Sequence, residues 1–254
     1  MRFASLGSGS EGNGLVVEAG DTVVLVDCGF GVKDTAARLG RLGLVPDDLD
    51  AILVTHEHAD HIGGVPAFAA KHEIPVWATF GTLAMVSERF EGMTHVYGFD
   101  SHEHFAIGAL EVMPVAVPHD AREPAQFVIG DGARRVAILT DLGMSTPYVE
   151  ACLSGCEALV LECNHDLDML VHGSYPWPLK QRIASRLGHL DNQAAAALLA
   201  RIDTSRLVHV IAAHLSQQNN TRELAGAALA GALGCSPGWI GIASQHDGFD
   251  WRDL

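Results

Sequence analysis

The sequence predicts an α/β protein with two mixed β-sheets that are covered by helices on their outer faces. Short apolar runs end in polar clusters and glycines, which is typical of buried strands that lead into functional loops. Strand-like and helix-like segments alternate between residues 51 and 99, and a strand-rich stretch follows from residue 105 to 139. Such an alternation followed by consecutive strands is typical of mixed sheets packed between helices.

Length and composition agree with a large folded core. The chain has 254 residues, of which 48% are hydrophobic and 19% are charged, enough for one large domain or two small ones. No change in composition marks a linker, and we therefore expect a single domain over residues 1–254. The longest apolar runs are interrupted before the roughly 18 residues that cross a bilayer. Met1-Arg2 leads directly into a strand, so we expect neither membrane association nor a signal segment.

The first part of the chain predicts three short strands, a helix and a turn before the first buried strand. Gly-Ser and Gly-Asp turns separate the strands. These elements are expected at Arg2–Leu6, Leu15–Glu18, Thr22–Val26, Asp34–Leu42 and Pro46–Leu49. The alternating region then predicts a strand, a helix, a strand, a helix and a strand, in order, at Ala51–Val54, Val65–Lys71, Pro75–Ala78, Gly81–Arg89 and His95–Phe99.

The second half predicts further apolar strands that end in polar residues. They are expected at Leu110–Val117, Arg135–Leu139, Ala158–Leu161 and Leu207–Ala213. Lys180, Arg182 and Arg186 lie in a helical stretch, with Arg182 and Arg186 spaced to share one face. Two later helices follow good capping residues: Asp191 precedes an alanine-rich helix, and Asn220 precedes a helix with an acid three residues on.

The densest polar cluster lies directly after the strand Ala51–Val54. Three histidines and an aspartate, the ligand types that zinc prefers, occur within the segment THEHADH. In an extended segment His56 and His58 point to the same side, so both can bind one ion. Asp60 and His61 come where the chain turns towards a helix and can face a second ion. The cluster predicts half of a two-metal site, which we favour over a polar loop with surface histidines.

This motif resembles that of the metallo-β-lactamase fold superfamily. The resemblance implies a four-layer αββα sandwich with a metal site between the edges of the two sheets. The segment LGSGSEGN at residues 6–13 narrows the resemblance to the YycJ/WalJ branch, which is related to ribonuclease Z and to bacterial phosphodiesterases.

Three later strand ends carry further ligand-type residues, and the resemblance implies a role for each. His119 is the expected third ligand of the first metal, and His214 completes the second metal. Asp141 has the position of the bridging ligand, where a negative charge reduces the repulsion between two dications. Asp27 ends the third strand; the resemblance implies that it orients a metal-bound histidine, and a satisfied structural carboxylate is the open alternative. The full predicted set is His56, His58, Asp60, His61, His119, Asp141 and His214.

A two-metal site of this kind predicts hydrolysis. Two divalent ions, for which zinc, manganese and iron all suit these ligands, lower the pKa of a shared water and clamp the oxygens of the reacting group. Asp60 is placed to orient the resulting hydroxide. The resemblance to ribonuclease Z implies that His189 is a general acid for the leaving alkoxide and that Glu162 orients it. A structural histidine beside a capped helix is the alternative for His189.

Two basic and two aromatic residues are candidates for contacts with the substrate. Lys180 and Arg182, with Tyr175 and Trp177, could hold a phosphate backbone and stack a base. A solvated helix face with packed aromatics is the alternative. His165 is a candidate substrate contact through the branch resemblance alone.

Charge and cysteine content restrict the partners. The formal net charge of -15 opposes tight nucleic-acid binding but does not exclude a local basic groove. The five scattered cysteines predict reduced thiols and a cytoplasmic protein.

We therefore expect a dinuclear metal-dependent hydrolase of phosphodiester bonds, and the resemblance favours a DNA exonuclease of the YycJ/WalJ type. A small-molecule or cyclic phosphodiesterase is the first alternative because the chain is acidic and has no counterpart of the flexible arm of other nuclease branches. A thiolester or β-lactam hydrolase comes next. A metal-binding scaffold without turnover would require the complete ligand set to be idle.

Overall fold

The computed structural model describes residues 1–254 and contains two β-sheets packed face to face. The strands are β1 (Arg2–Gly7), β2 (Gly14–Ala19), β3 (Thr22–Val26), β4 (Ala51–Leu53), β5 (Val76–Thr79), β6 (Val96–Phe99), β7 (Phe105–Ile107), β8 (Leu110–Ala116), β9 (Ala125–Gly130), β10 (Arg135–Leu139), β11 (Ala158–Glu162), β12 (His209–Ala213), β13 (Gly241–Ile242) and β14 (Phe249–Asp253).

Nine helices cover the sheets, and three short 3-10 turns supplement them at Pro46–Asp48, Ser87–Phe90 and Pro237–Trp239. The helices are α1 (Val32–Arg41), α2 (Ala59–Ile62), α3 (Val65–His72), α4 (Phe80–Val86), α5 (Pro147–Leu153), α6 (Leu167–His172), α7 (Trp177–Ile183), α8 (Asn192–Leu199) and α9 (Arg222–Leu233). None of them combines the length and the apolar character needed to span a bilayer.

Each sheet has seven strands and mixes parallel with antiparallel pairs. The first has the order β14-β1-β2-β3-β4-β5-β6, and the second has the order β13-β12-β11-β10-β9-β8-β7. Strands β3 to β6 run parallel in the first sheet, and β10 to β13 run parallel in the second. The carboxyl ends of parallel strands meet at one edge of a sheet, so the polar residues that follow β10, β11 and β12 are brought together. The residues that follow β4 in the facing sheet lie beside them.

Three buried apolar clusters separate four layers. One lies between the sheets and includes Phe3 and Phe127. A second joins the first sheet to α1 and α3 through residues such as Leu39 and Phe68. The third joins the second sheet to α5, α8 and α9 and includes the buried Leu198. The predicted αββα sandwich of two mixed sheets is confirmed.

Two expected details are wrong. Arg186 lies outside α7, because the chain turns back after Ile183: Gly188 lies so close to the carbonyls of Arg182 and Ile183 that a Cβ would clash there. The last helix is capped by Thr221, whose Oγ1 accepts a hydrogen bond from Leu224 N (3.2 Å), and not by Asn220.

Asn220 instead bonds across to another element. Its Nδ2 donates to the Asn192 side chain at 2.9 Å and to Cys163 O at 2.7 Å. The amide therefore joins α8, α9 and the end of β11, while the neighbouring hydroxyl takes over the cap. The Asp191 cap is confirmed: its carboxylate accepts from Gln193 N and Ala194 N, both at 2.8 Å.

Candidate metal centre

Three histidines converge on one point beside the ends of β4 and β8. Nε2 of His56 lies 3.0 Å from Nδ1 of His58, and Nε2 of His119 lies 3.3 Å from the same atom. His56 and His119 are buried, and His58 is partly exposed. Burial and the charge on nearby His61 hold the pKa of His56 well below its usual range, so its lone pair is available. These residues form the first ligand group.

A second group of two histidines and an aspartate lies next to the first. Oδ2 of Asp60 is 3.4 Å from Nε2 of His61 and 3.3 Å from Nε2 of His214. His214 adopts a left-handed φ of 54°, an uncommon conformation for this residue type that clusters at functional sites. Its backbone N–H donates to Ser8 Oγ at 2.9 Å. The turn at the end of β12 thus directs the imidazole towards Asp60.

Asp141 lies between the two groups. Its Oδ2 is 2.8 Å from His61 Nε2, and its Oδ1 is 3.7 Å from His119 Nε2. The residue is buried, and the 2.8 Å approach of His61 Nε2 lacks the geometry of a hydrogen bond, so Oδ2 has no hydrogen-bond partner. Although burial opposes ionisation, the imidazoles of His214 and His61 hold the pKa of Asp141 well below its usual range.

The charge and the hydrogen bonding of the cluster are suited to divalent ions. A buried carboxylate oxygen without a hydrogen bond is costly unless a cation compensates it. Burial alone would lower the pKa of His61, but the carboxylates of Asp141, Asp27 and Asp60 raise it well above the usual range. The cluster therefore has an excess of negative charge that attracts positive charge. Imidazole nitrogens and carboxylate oxygens converging in this way are the donors of divalent metal sites, and the residues fit such ions.

Polar contacts behind the ligand groups fix the imidazole rings. Oδ2 of Asp27 lies 2.7 Å from Nδ1 of His61, the nitrogen opposite to the one that faces Asp141. The same carboxylate accepts hydrogen bonds from Thr55 N and Oγ1, both at 2.8 Å. Nδ1 of His119 lies 3.0 Å from Gly188 O. Asp27 thus has the contact that an orienting residue needs.

Replacing Asp27 with asparagine is expected to weaken zinc affinity about 10- to 100-fold, the usual effect of losing a carboxylate behind a metal-binding histidine. A competition titration against a chromophoric chelator measures this affinity. Asp250→Asn is the control, because Asp250 lies exposed on β14. Equal affinities in both variants, with circular dichroism showing that both are folded, would contradict an orienting role.

Glu162 and His189 form a pair beside the second ligand group. Oε1 of Glu162 lies 2.7 Å from Nδ1 of His189, which is also 3.2 Å from Asp141 Oδ1. Oε2 of Glu162 accepts hydrogen bonds from Leu142 N at 2.8 Å and Leu190 N at 3.1 Å. Burial lowers the pKa of His189, but Glu162 and Asp141 together raise it well above the usual range. Because Nδ1 faces the carboxylates, Nε2 is the nitrogen left for a ligand in the cleft.

One cleft of about 400 Å³ is lined by His189 and by four of the seven ligand residues, namely His58, Asp60, Asp141 and His214. Arg182 and Tyr175 also line it, so the structure brings these two predicted residues to the site. Arg182 Nε donates to Asp120 Oδ2 at 2.5 Å, and the arginine side chain is 55% exposed.

Three other predicted substrate contacts lie outside the cleft lining. Nζ of Lys180 donates to the carbonyls of Val171 and Gly173, both at 2.7 Å, and holds the end of α6. His165 is buried beside Asn164, and it is Asn164 that lines the cleft. Trp177 is exposed outside the cleft lining.

Sequence reasoning assigned no role to two residues of the LGSGSEGN segment. Ser8 accepts the hydrogen bond from His214 N described above. Asn13 contacts Asp60 twice. Its Nδ2 donates to Asp60 Oδ2 at 3.3 Å, and its backbone N–H donates to Asp60 O at 2.7 Å. The small and polar residues of this segment therefore support the second ligand group. The LGSGSEGN motif marked this segment as notable in the sequence, but it did not indicate which residues Ser8 and Asn13 contact.

The four-layer sandwich with paired His/Asp groups at adjoining sheet edges defines the class of metal-dependent hydrolases with metallo-β-lactamase architecture. Residues 22–210 match the family described as the β-lactamase superfamily domain. The chain belongs to this family.

Two relatives and one solved structure agree with this assignment. Exodeoxyribonuclease YycJ of Bacillus anthracis is 37% identical over 234 residues, which cover 89% of this chain and 86% of the relative. Exodeoxyribonuclease WalJ of Streptococcus pneumoniae serotype 2 is 34% identical over 231 residues, covering 89% and 85%. Zn(2+)-bound PqqB from Methylobacterium extorquens has the same fold, with a TM-score of 0.76 at 19% identity over 100% of both chains. The predicted YycJ/WalJ resemblance is confirmed.

Proposed function

We propose that this protein is a two-metal phosphodiesterase that hydrolyses DNA, an exodeoxyribonuclease of the YycJ/WalJ type. The observation that carries the proposal is that members of both ligand groups line one cleft together with His189, which Glu162 holds from behind. Ligand groups alone would suit many hydrolases, whereas a fixed histidine beside them suits the departure of an alkoxide, which needs a proton. The names of the relatives at 37% and 34% identity support DNA as the polymer.

Seven residues would hold two divalent ions. His56, His58 and His119 would bind the first, and Asp60, His61 and His214 the second. Asp141 lies between the groups, with Oδ2 2.8 Å from His61 Nε2 and Oδ1 3.7 Å from His119 Nε2 and 3.6 Å from His214 Nδ1. Such ions make a water molecule more acidic and withdraw charge from a phosphoryl group. The mixed imidazole and carboxylate donors suit zinc or manganese, and they also suit iron.

The chain's own residues would then bind, orient and move protons. Asp60 lies at the cleft surface, where it would orient the attacking water. Nε2 of His189 would donate a proton to the leaving oxygen, and Glu162 would hold the ring by its contact with Nδ1. Arg182 at the cleft wall would bind a phosphate oxygen by exchanging its contact with Asp120.

A small-molecule phosphodiesterase is the second candidate. The net charge of -15 favours it, and so does the fact that Arg182 is the single lysine or arginine among the residues that line the cleft. A polymer needs several phosphate contacts, whereas a small phosphodiester needs one.

Hydrolysis of end-labelled single- and double-stranded DNA by protein reconstituted with manganese or zinc tests the proposal, with chelator-treated protein as the control. We expect nucleotide release that depends on the added metal and falls steeply with salt. Intact DNA together with cleavage of bis(p-nitrophenyl) phosphate would favour the second candidate. Metal-loaded protein that cleaves neither substrate would overturn the phosphodiesterase assignment.

We further propose that the protein acts in the cytoplasm. All five cysteines are free thiols, including the buried Cys28, Cys156 and Cys163. Burial raises the pKa of Cys28 and Cys156 to about 11, so these thiols are protonated and unreactive near neutral pH. Free thiols of this kind are typical of reducing compartments.

A further inference from the structure

A second cavity adjoins the metal cleft. It has a volume of about 390 Å³, within the range of roughly 300–1,000 Å³ that is typical of ligand pockets. Ser216 lines both the metal cleft and the second cavity, so the two meet at this residue. Ser216 follows the ligand residue His214 by two positions. A ligand that occupies the metal cleft therefore has adjacent space into which it can extend.

The second cavity has one cationic side chain, that of Arg222, and it is unpaired. Arg222 is exposed, and its guanidinium makes no hydrogen bond or ion pair within the chain. The arginines that do make ion pairs with carboxylates are Arg2, Arg38, Arg182, Arg201 and Arg206. An unpaired guanidinium presents several donors in a fixed plane, which suits a phosphate group.

The remaining lining suits a nucleotide. Gln217, Thr221 and Ser244 offer neutral polar groups, while Leu215 and Ile242 offer apolar surface for a base. Glu223 is the only carboxylate in the lining. It follows Arg222 directly in α9, and adjacent helical residues do not face each other. The lining therefore carries no net negative charge in a chain of net charge -15, and its one guanidinium is free to meet an anion.

We propose that the second cavity binds the nucleotide next to the scissile phosphate of a DNA strand, with Arg222 on its phosphate. This inference rests on the proposed function and adds to it: the strand would occupy the metal cleft and the second cavity together. Arg222 would then provide affinity for a chain of nucleotides without taking part in the chemistry. A small phosphodiester would fill only the metal cleft and would not reach Arg222.

Arg222→Ala in the metal-loaded enzyme separates these two substrate types. We expect KM for an oligothymidylate to rise on the order of tenfold, as for the loss of an exposed charge-assisted contact. We expect kcat to stay within about twofold and hydrolysis of bis(p-nitrophenyl) phosphate to be unchanged, since neither depends on the remote contact. Arg222→Glu should raise KM further through repulsion.

Arg134→Ala is the matched control. Arg134 is also exposed and without an ion pair, but it precedes β10 at the end of the strand opposite to Asp141. Removing its charge changes the net charge equally without touching either cavity. It should leave KM for the oligothymidylate unchanged.

Direct binding gives a second readout. The fluorescence anisotropy of a labelled phosphorothioate oligothymidylate, which resists hydrolysis, reports affinity for the metal-loaded protein as salt is varied. Loss of one phosphate contact should reduce the slope of log affinity against log salt by about 0.7.

The outcomes distinguish the inference from the proposed function. If wild-type protein cleaves and binds DNA but Arg222→Ala and Arg134→Ala behave alike, the second cavity is not a nucleotide site and the proposed function stands. If wild-type protein neither cleaves nor binds the oligonucleotide, both are overturned. A larger KM for Arg222→Ala with both substrates would place Arg222 at the metal cleft and would also contradict the inference.

Discussion

Replacing Asp141 with alanine is expected to reduce DNA hydrolysis by roughly a thousandfold or more and to lower the bound divalent metal. Each metal supplies several kcal/mol of stabilisation to the reacting phosphate, and every 1.4 kcal/mol corresponds to about a factor of ten in rate. Asp141 is the residue that contacts both ligand groups, with Oδ2 near His61 and Oδ1 near His119. Its removal takes away the negative charge that would hold two dications close together.

Metal content by mass spectrometry and nucleotide release from end-labelled DNA should be measured on the same samples. Asp250→Ala provides the control, because this exposed carboxylate on β14 lies outside both cavities. An Asp141→Ala protein that keeps the wild-type metal content and rate would show that Asp141 is not a ligand. A variant that keeps its metal but loses activity would assign Asp141 to the chemistry alone.

The ligand residues were predictable because their motifs resemble those of the superfamily, and most of them follow an apolar run in the sequence. His56 after β4, Asp141 after β10 and His214 after β12 lie at the ends of strands that run parallel to a neighbour. Parallel strands bring their carboxyl ends to one edge whatever the intervening chain does. The resemblance assigned these residues, far apart in the sequence, to one cluster, and the parallel strands explain why they meet.

Contacts that depend on the path of a single loop were not predictable in the same way. Lys180 and Arg182 are two positions apart in one helix and are both basic, yet only Arg182 lines the cleft. The Lys180 ammonium is taken by the carbonyls of Val171 and Gly173 at the end of the preceding helix. Helical spacing gives the relative directions of side chains but does not reveal which face meets a neighbouring element.

The helix cap near Asn220 shows the same limit. Asn220 and Thr221 are both good capping residues, so the local sequence allows either. The choice depends on Asn192, a residue of α8 that is distant in sequence and binds the Asn220 amide. A tertiary contact thus moves the cap by one residue without changing the helix that follows.

Replacing His189 with alanine is expected to slow DNA hydrolysis by roughly 10²- to 10⁴-fold, the range for losing a general acid, while metal content stays at the wild-type level. His189 lies outside the two proposed ligand groups, and its Nδ1 is engaged with Glu162 and Asp141, although these residues and His214 together could also hold an ion. His102→Ala is the control, since His102 lies in an exposed turn before β7. A parallel loss of metal would show that His189 acts as a ligand and would remove the general-acid role.

The leaving group distinguishes proton donation by His189 from a structural effect. An alkoxide leaving from DNA is strongly basic and needs a proton, whereas p-nitrophenolate leaves readily without one. His189→Ala should therefore lose less than about tenfold on bis(p-nitrophenyl) phosphate while losing much more on DNA. Glu162→Gln should show the same direction with a smaller ratio, because it keeps the imidazole but weakens the 2.7 Å contact that orients it. Equal losses on both substrates would mean that Glu162 and His189 only maintain the shape of the cleft. A misplaced metal ligand slows the hydrolysis of every substrate, whether or not its leaving group needs a proton.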